Sequence, residues 1–276
     1  MTVQSPSARP YAEVIGDPIA HSKSPLIHNF WLAELGIDAE YRACHVLPAG
    51  LAEYVAARRA DPLWRGCNVT LPHKQAVIAH VDDPGGVGAS IGAANTLFRQ
   101  ASTLACTNTD AAGFFAPIAD APLTSAPVVV VGTGGAARAV LFALAQVGVG
   151  PVTVLARNAL KASALLAHFG LKGRALALGA PLPSAALLVN ASSLGMAGQP
   201  PLDLDLGALP ADALVYDLVY APLDTVLLAA ARARGLETID GLEMLVGQAA
   251  VAFELFFGAA PPDDADGRLR ALLLAP

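Results

Sequence analysis

In NVTLPHK, residues 68–74, a lysine closes a short apolar run just past a proline. An ammonium held there can give a proton to a reacting oxygen or neutralise charge that develops on it. The spacing predicts a helix over 73–80 with Lys74 in its first turn. That position sets a cation against the helix dipole, a small cost that suggests a use. Asp110 stands at a second loop-to-helix boundary in TNTDAAGF, and Asn95 follows three small residues in GAANTL. HSKSP, residues 21–25, brings Ser22 and Ser24 to the start of another predicted helix, a site that favours an anion. Ser24 reads as its N-cap and Pro25 as its first residue. His21 and Lys23, the more reactive-looking neighbours, read as a loop brace and a solvated charge. Taken singly these residues also have plain readings: Asn95 a turn, Asp110 a cap, Lys74 a surface charge, and Gln248, inside the apolar LVGQAAVAF, a buried amide bonded to backbone.

A second kind of chemistry is written in VVVVGTGGAARAV, residues 128–140. An apolar strand runs into Gly132, Thr133, Gly134, Gly135 and Ala136 and then into a helix. Glycines let backbone approach a pyrophosphate closely, and the helix N-terminus binds the anion. Ala137 stands where the last glycine of the usual fingerprint would be. Roughly twenty residues on, where NAD enzymes carry an acid for the ribose 2′-hydroxyl, the next strand ends without one. It offers Arg157 and, four residues later, Lys161. Two cations suit a 2′-phosphate, so these residues favour NADP(H) over NAD; the plain alternative is a solvated basic pair.

The elements that must hold these groups alternate. Strands are predicted at 12–16, 40–46 and 66–70, helices at 25–35 and 49–59, and a paired stretch at 94–107. Composition shifts at DAPLTSAP, residues 120–127, and a new alternation begins. Apolar runs at 128–131, 152–155, 187–190 and 214–217 are separated by helical patterns at 136–147 and 158–169, which predicts a second, parallel sheet. Helices are predicted again over 242–257 and 265–274. The chain is therefore expected to be α/β with two domains.

Composition narrows the classes. Of 276 residues, 54% are hydrophobic and 14% charged, too apolar for disorder. The uncharged run Ala139 to Ala156 is broken by Gln146, Gly148, Gly150 and Pro151 and reads as helix, turn and strand, not a membrane span. Residues 1–10 lack the pattern of a signal peptide. Three scattered cysteines without a CxxC pair suit a reducing cytoplasm. A net charge of -6 without a basic run argues against nucleic acid as a partner, and the six histidines form no metal-ligand pattern.

HSKSP, NVTLPHK, GAANTL, NTD, VGTGGAAR, NASSLGM, DLVYAPLDT and DGLEMLVGQAA occur in the order, and at about the spacing, found in shikimate dehydrogenases. The chain resembles that family from Tyr11 to about Gly258. The resemblance implies an N-terminal α/β substrate-binding domain at 1–109, completed by helices in 242–276, a Rossmann-type NADP-binding domain at 110–241, and a cleft between them. It implies reversible NADPH-dependent reduction of 3-dehydroshikimate to shikimate, in the route to chorismate and aromatic amino acids. By the same likeness Lys74 and Asp110 are catalytic, with the lysine acting chiefly by position and charge. Ser22 and Ser24 hold the substrate carboxylate, joined by Tyr220; Asn95, Gln248, Asp110 and Thr70 meet the rest of the substrate. The glycine turn, Arg157, Lys161, Ser192, Leu218, Gly241 and Met244 contact the cofactor. Family members commonly carry Asn-Arg where this chain has Ala156 and Arg157, and arginine where it has Lys161, so weaker NADP binding is expected. Thr107 and Ala111 also depart from the common Asp and Gly. A quinate-oxidising paralogue and a non-catalytic regulator on the same scaffold are the alternatives, and the family includes both monomers and dimers.

Overall fold

The computed structural model describes residues 9–82 and 86–275, so most of the stretch 1–10, read for a signal-peptide pattern, lies outside it. Along the chain come β1 (Tyr11–Gly16), α1 (Ser24–Glu34), β2 (Glu40–His45), α2 (Leu51–Ala60), β3 (Trp64–Val69), α3 (Val87–Ile91), β4 (Thr96–Gln100) and β5 (Thr103–Thr107). They are followed by α4 (Asp110–Phe115), β6 (Val128–Val131), α5 (Gly135–Val147), β7 (Val152–Ala156), α6 (Ala159–His168), β8 (Gly173–Ala177), β9 (Leu187–Asn190) and β10 (Leu214–Asp217). Then come α7 (Val226–Ala233), β11 (Glu237–Ile239), α8 (Gly241–Phe257) and α9 (Asp266–Leu274). Two compact units result: the residues up to Thr109 with those from Gln248 onward, and the contiguous stretch Asp110–Gly247.

The first unit holds a five-stranded sheet in the order β2-β1-β3-β4-β5, parallel across its first three strands and antiparallel through the hairpin β4–β5. Every residue of β1 is buried, as expected of a central strand covered on both faces. One face packs Tyr11, Ile15, Trp64 and Val69 against Leu51, Tyr54 and Val55 of α2. Elsewhere in the unit the aromatic rings of His28 and Trp31 from α1, Tyr41 from β2 and Phe253 and Phe256 from α8 meet one another. Gly66 makes room there, because a Cβ on it would stand 2.4 Å from the Phe256 ring. Glu13, fully buried in β1, accepts from Arg42 Nε at 3.0 Å, Arg58 Nε at 2.7 Å and the Tyr54 hydroxyl at 2.8 Å. A buried carboxylate is tolerated only with such pairing.

The second unit is a six-stranded, wholly parallel sheet in the order β11-β10-β9-β6-β7-β8. This is the doubly wound Rossmann order, which reverses between β6 and β9, where open α/β sheets bind ligands beyond the strand ends. Val129, Val131, Leu155, Leu188 and Val215 share a core with Leu227, Leu228 and Ala231 of α7.

Three local expectations need correction. The helix predicted over 73–80 is a turn through residue 75 followed by a 3-10 helix, Ala76–His80. His73 N bonds Thr70 O, its ring bonds Val46 O at 2.7 Å, and Asp82 bridges to Ala105, so the segment is pinned near both ends and takes the longer rise of a 3-10 turn. Lys74 therefore sits in a turn, and the dipole argument for it lapses. Ser24 is not the cap of α1: Lys23 holds that place, no side chain caps the helix, and Ser24 is its first residue. Asp110 likewise lies inside the first turn of α4. The edge strands β8 and β11 were not anticipated; none of their residues is buried, so no apolar run announces them.

Candidate active site

In the first unit the carboxyl ends of β1 and β3 are knit together. Asp17 N donates to Leu71 O at 3.0 Å, and a Cβ on Gly16 would stand 2.6 Å from the Thr70 methyl. Glycine at 16 thus lets the loop carrying Ser22 and Ser24 lie against the one carrying Thr70 and Lys74. Ser22 Oγ accepts from Ser24 N at 3.3 Å, and the buried Ser24 hydroxyl lies beside the Tyr41 phenol, whose pKa burial pushes well up. Lys74 is half-buried, and its carbonyl accepts from Ala94 N at 2.7 Å, next to Asn95.

Asn95 is the hub of this unit's polar core. Its Oδ1 accepts from Thr109 N at 2.7 Å and from Thr96 Oγ1 at 2.9 Å; its Nδ2 donates to Thr109 Oγ1 at 2.9 Å and reaches Gln248 Oε1 at 3.4 Å. Asn95 and Gln248 are both buried, so the structure brings the two predicted hydroxyl-binding amides together across 153 positions of chain. Amides both donate and accept, which suits ring hydroxyls. Sequence reasoning missed the supports: Tyr41 OH donates to Asn68 Oδ1 at 2.6 Å, and Asn68 Nδ2 donates to Thr96 Oγ1 at 3.2 Å. The signal was an asparagine between buried Cys67 and Val69 in strand β3.

In the second unit the sheet register sets the other predicted residues along one edge. Val131, Asn190 and Asp217 stand in register at the ends of β6, β9 and β10. Gly132, Ala191 and Leu218, which follow them, therefore open three adjacent loops. Gly132 adopts φ +111°, and a Cβ there would lie 2.8 Å from Ala191 O. Gly134 occupies the N-cap of α5 with no side chain bonded into the helix, and a Cβ on it would meet nothing within 4 Å. This open, uncapped helix start, with Thr133, Gly135 and Ala136 around it, fits a pyrophosphate. Arg157 and Lys161 are exposed at the end of the neighbouring β7 and in the first turn of α6, where Asn158 accepts from Lys161 N at 3.0 Å. They fit a 2′-phosphate.

Ser192 turns its hydroxyl into its own loop, donating to Asn190 Oδ1 at 2.7 Å, where its backbone N also donates at 3.1 Å. Gly241 is pressed against the 218–219 backbone, 2.5 Å from its Cβ position to Leu218 O, so α8 can bring Met244 past the loop holding Leu218 and Tyr220. Burial raises the Tyr220 phenol pKa. Asp110 is buried at the start of α4, directly after Thr109, and α4 crosses α8 where Gly113 meets Gly247. No helix among the described residues is long and apolar enough to cross a membrane.

Comparison with known proteins gives these groups a context. A family model described as shikimate dehydrogenase substrate binding domain matches residues 14–97, and one described as shikimate 5'-dehydrogenase C-terminal domain matches residues 241–266. The chain is 66% identical over 271 residues to a shikimate dehydrogenase (NADP(+)) of Sphingopyxis alaskensis, covering 98% of this chain and 99% of that one. Among solved structures it is similar to shikimate 5-dehydrogenase from Thermus thermophilus in complex with NADP(H) and shikimate, at 35% identity and TM-score 0.83, covering 96% of this chain and 100% of that one. It is also similar to quinate dehydrogenase from Corynebacterium glutamicum in complex with NAD, at 30% identity and TM-score 0.84, covering 96% and 99%.

Proposed function

Since the chain belongs to the shikimate dehydrogenase family, we propose that it is an NADP-dependent shikimate dehydrogenase, an oxidoreductase that interconverts 3-dehydroshikimate and shikimate. The observation that carries the reading is the buried Asn95–Gln248 pair beside Lys74, a set of groups suited to a polyhydroxy ring with a reacting ketone.

The cofactor supplies a hydride to the ketone carbon when bound. Gly132 to Ala136 would hold its pyrophosphate, Arg157 and Lys161 its 2′-phosphate, and the backbone at Ser192, Leu218 and Gly241, with Met244, its nicotinamide half. Hydride arrival leaves negative charge on the ketone oxygen, and the Lys74 ammonium stabilises it by charge and hydrogen bonding. Asp110 accepts from the neighbouring ring hydroxyl and orients the ring. Asn95, Gln248 and Thr70 bind the remaining hydroxyls. Ser22 and Ser24, with Tyr220, donate to the carboxylate without a tight ion pair, which keeps product release fast. Three cysteines without a disulfide support a cytoplasmic setting, and the acidic net charge supports a small-molecule partner over nucleic acid.

Initial rates with shikimate and quinate, each with NADP and NAD, test the reading. The highest efficiency should fall on shikimate with NADP. Higher efficiency on quinate would transfer the chain to the second activity seen among its structural neighbours. Lys74→Ala should cut kcat by ~10²-fold or more with the fold intact; normal turnover in that variant would remove Lys74 from the chemistry.

A further inference from the structure

One buried acid of the second unit is left unused by the proposed chemistry. Asp217 is fully buried at the end of β10, and three groups converge on its carboxylate. Asn190 Nδ2 donates to Oδ1 at 2.8 Å, Val219 N to the same oxygen at 3.0 Å, and Thr225 Oγ1 to Oδ2 at 2.7 Å.

Each partner governs a segment. Asn190 continues the relay: its Oδ1 accepts from Ser192 N at 3.1 Å and from Ser192 Oγ at 2.7 Å, while its Nδ2 also reaches Leu194 O at 2.9 Å. The loop after β9 is thereby closed around one amide. Val219 and Thr225 bracket the loop after β10, and Thr225 caps α7 by accepting from Leu228 N at 3.2 Å. One carboxylate thus pins both ends of the segment that presents Leu218 and Tyr220, and through Asn190 it locks that segment to the one that presents Ser192.

We infer that Asp217 is a positioning residue, holding the loops after β9 and β10 in a fixed mutual register so that the nicotinamide half of the cofactor is presented in one orientation. It touches neither cofactor nor substrate in this scheme. The inference rests on the proposed cofactor assignment, deepening it by naming what orders the nicotinamide end as distinct from the phosphate end. Gly132 to Ala136, Arg157 and Lys161 lie outside the relay and should keep their grip when it is cut. A loop displaced by an ångström can cost ~10²-fold in rate without loss of binding.

Two variants separate this role from simple structural support. Asn190→Ala cuts the link between the loops and leaves Asp217 bonded to Val219 and Thr225. Asp217→Asn keeps an oxygen for Asn190 and Val219 and turns its new amino group toward Thr225 Oγ1, which can accept. For each, the measurements are the fluorescence of bound NADPH, the affinity for 2′-phospho-ADP-ribose, which lacks the nicotinamide, kcat and KM for shikimate, and the melting midpoint.

Asn190→Ala should lower kcat by ~30- to 100-fold and abolish most of the NADPH fluorescence enhancement, while binding 2′-phospho-ADP-ribose within about threefold of the parent. Asp217→Asn should stay within about fivefold of the parent in each. Unchanged kcat and fluorescence in folded Asn190→Ala would overturn the inference. So would equal loss of affinity for the nicotinamide-free ligand, or an Asp217→Asn as impaired as Asn190→Ala. The fluorescence arm needs no turnover, so a parent chain inactive on shikimate would refute the proposed function and still leave this inference decided.

Discussion

His28 makes the acid sensitivity of the first unit calculable. Its ring is fully buried, stacked on Tyr41 with centroids 4.0 Å apart and planes at 3°, and neither nitrogen reaches a hydrogen-bond partner. Burial pushes its pKa down to about 3 from the ordinary 6.5, with the nearby Asn68 opposing the shift in part. A base with a depressed folded pKa contributes stability above its unfolded pKa and withdraws it as pH falls, here from 6.5 toward 3. At 1.36 kcal/mol per unit, the loss between pH 7.5 and 4.5 is about 3 kcal/mol. His28→Phe keeps the aromatic stack, removes the titration and deletes two unpaired ring nitrogens. Urea unfolding of parent and variant between pH 7.5 and 4.5 should show the variant gaining about 3 kcal/mol on the parent as the pH falls. Asp217, whose carboxyl burial raises, contributes with the opposite sign, its share of stability falling as pH rises through its window above 3.8; it is common to both chains and cancels. Parallel stability curves would refute the reasoning and mean that a proton finds a partner at His28.

Glu13→Gln should cost about 3 to 5 kcal/mol in chemical unfolding, because two guanidiniums lose their carboxylate and one N–H meets the new amide N–H; a loss below about 1 kcal/mol would show that solvent substitutes for it. Gly132→Ala should cost about 2 to 5 kcal/mol, from the positive φ together with the clash at Ala191, and weaken NADPH binding in a titration. A neutral result would mean that the 191–192 backbone yields freely. Lys161→Arg should lower KM for NADP while leaving KM for NAD unchanged, since a guanidinium bonds a phosphate bidentately; equal effects on both would place the residue away from the 2′-phosphate.

The glycine turn was legible because its demands are local: strand, turn and helix follow within a dozen residues, and the positive φ at Gly132 is a property of one position. The second sheet was legible for the same reason, through short apolar runs, except for its two edge strands β8 and β11, neither of which has a buried residue. Lys74 and Ser24 were found as residues and misplaced as geometry. Their local conformation is set by distant partners, His73 by Val46 and Asp17 by Leu71, which no spacing rule contains. Asn95 and Gln248 were each reached by likeness alone, and nothing in GAANTL announces their contact across the chain. Asn68 and Asp217 went unremarked because a polar residue beside apolar strand neighbours does not say what it bonds.

The division of the chain also fixes an order of events in time. Residues 110–247 form one uninterrupted unit, whereas the first unit waits for residues from 248 onward. Until Phe253 and Phe256 arrive, His28 and Trp31 lack the rings that cover them and the space left by Gly66 stays unfilled. A growing chain thus holds every residue of its nucleotide-type unit before the N-terminal half has the rings that cover its aromatic face. Gln248 opens the late segment, so the amide that meets Asn95 begins the same stretch that closes the core. Assembly of the proposed substrate site and completion of its unit are then one step, and a half-made chain cannot hold the substrate while its fold is unfinished.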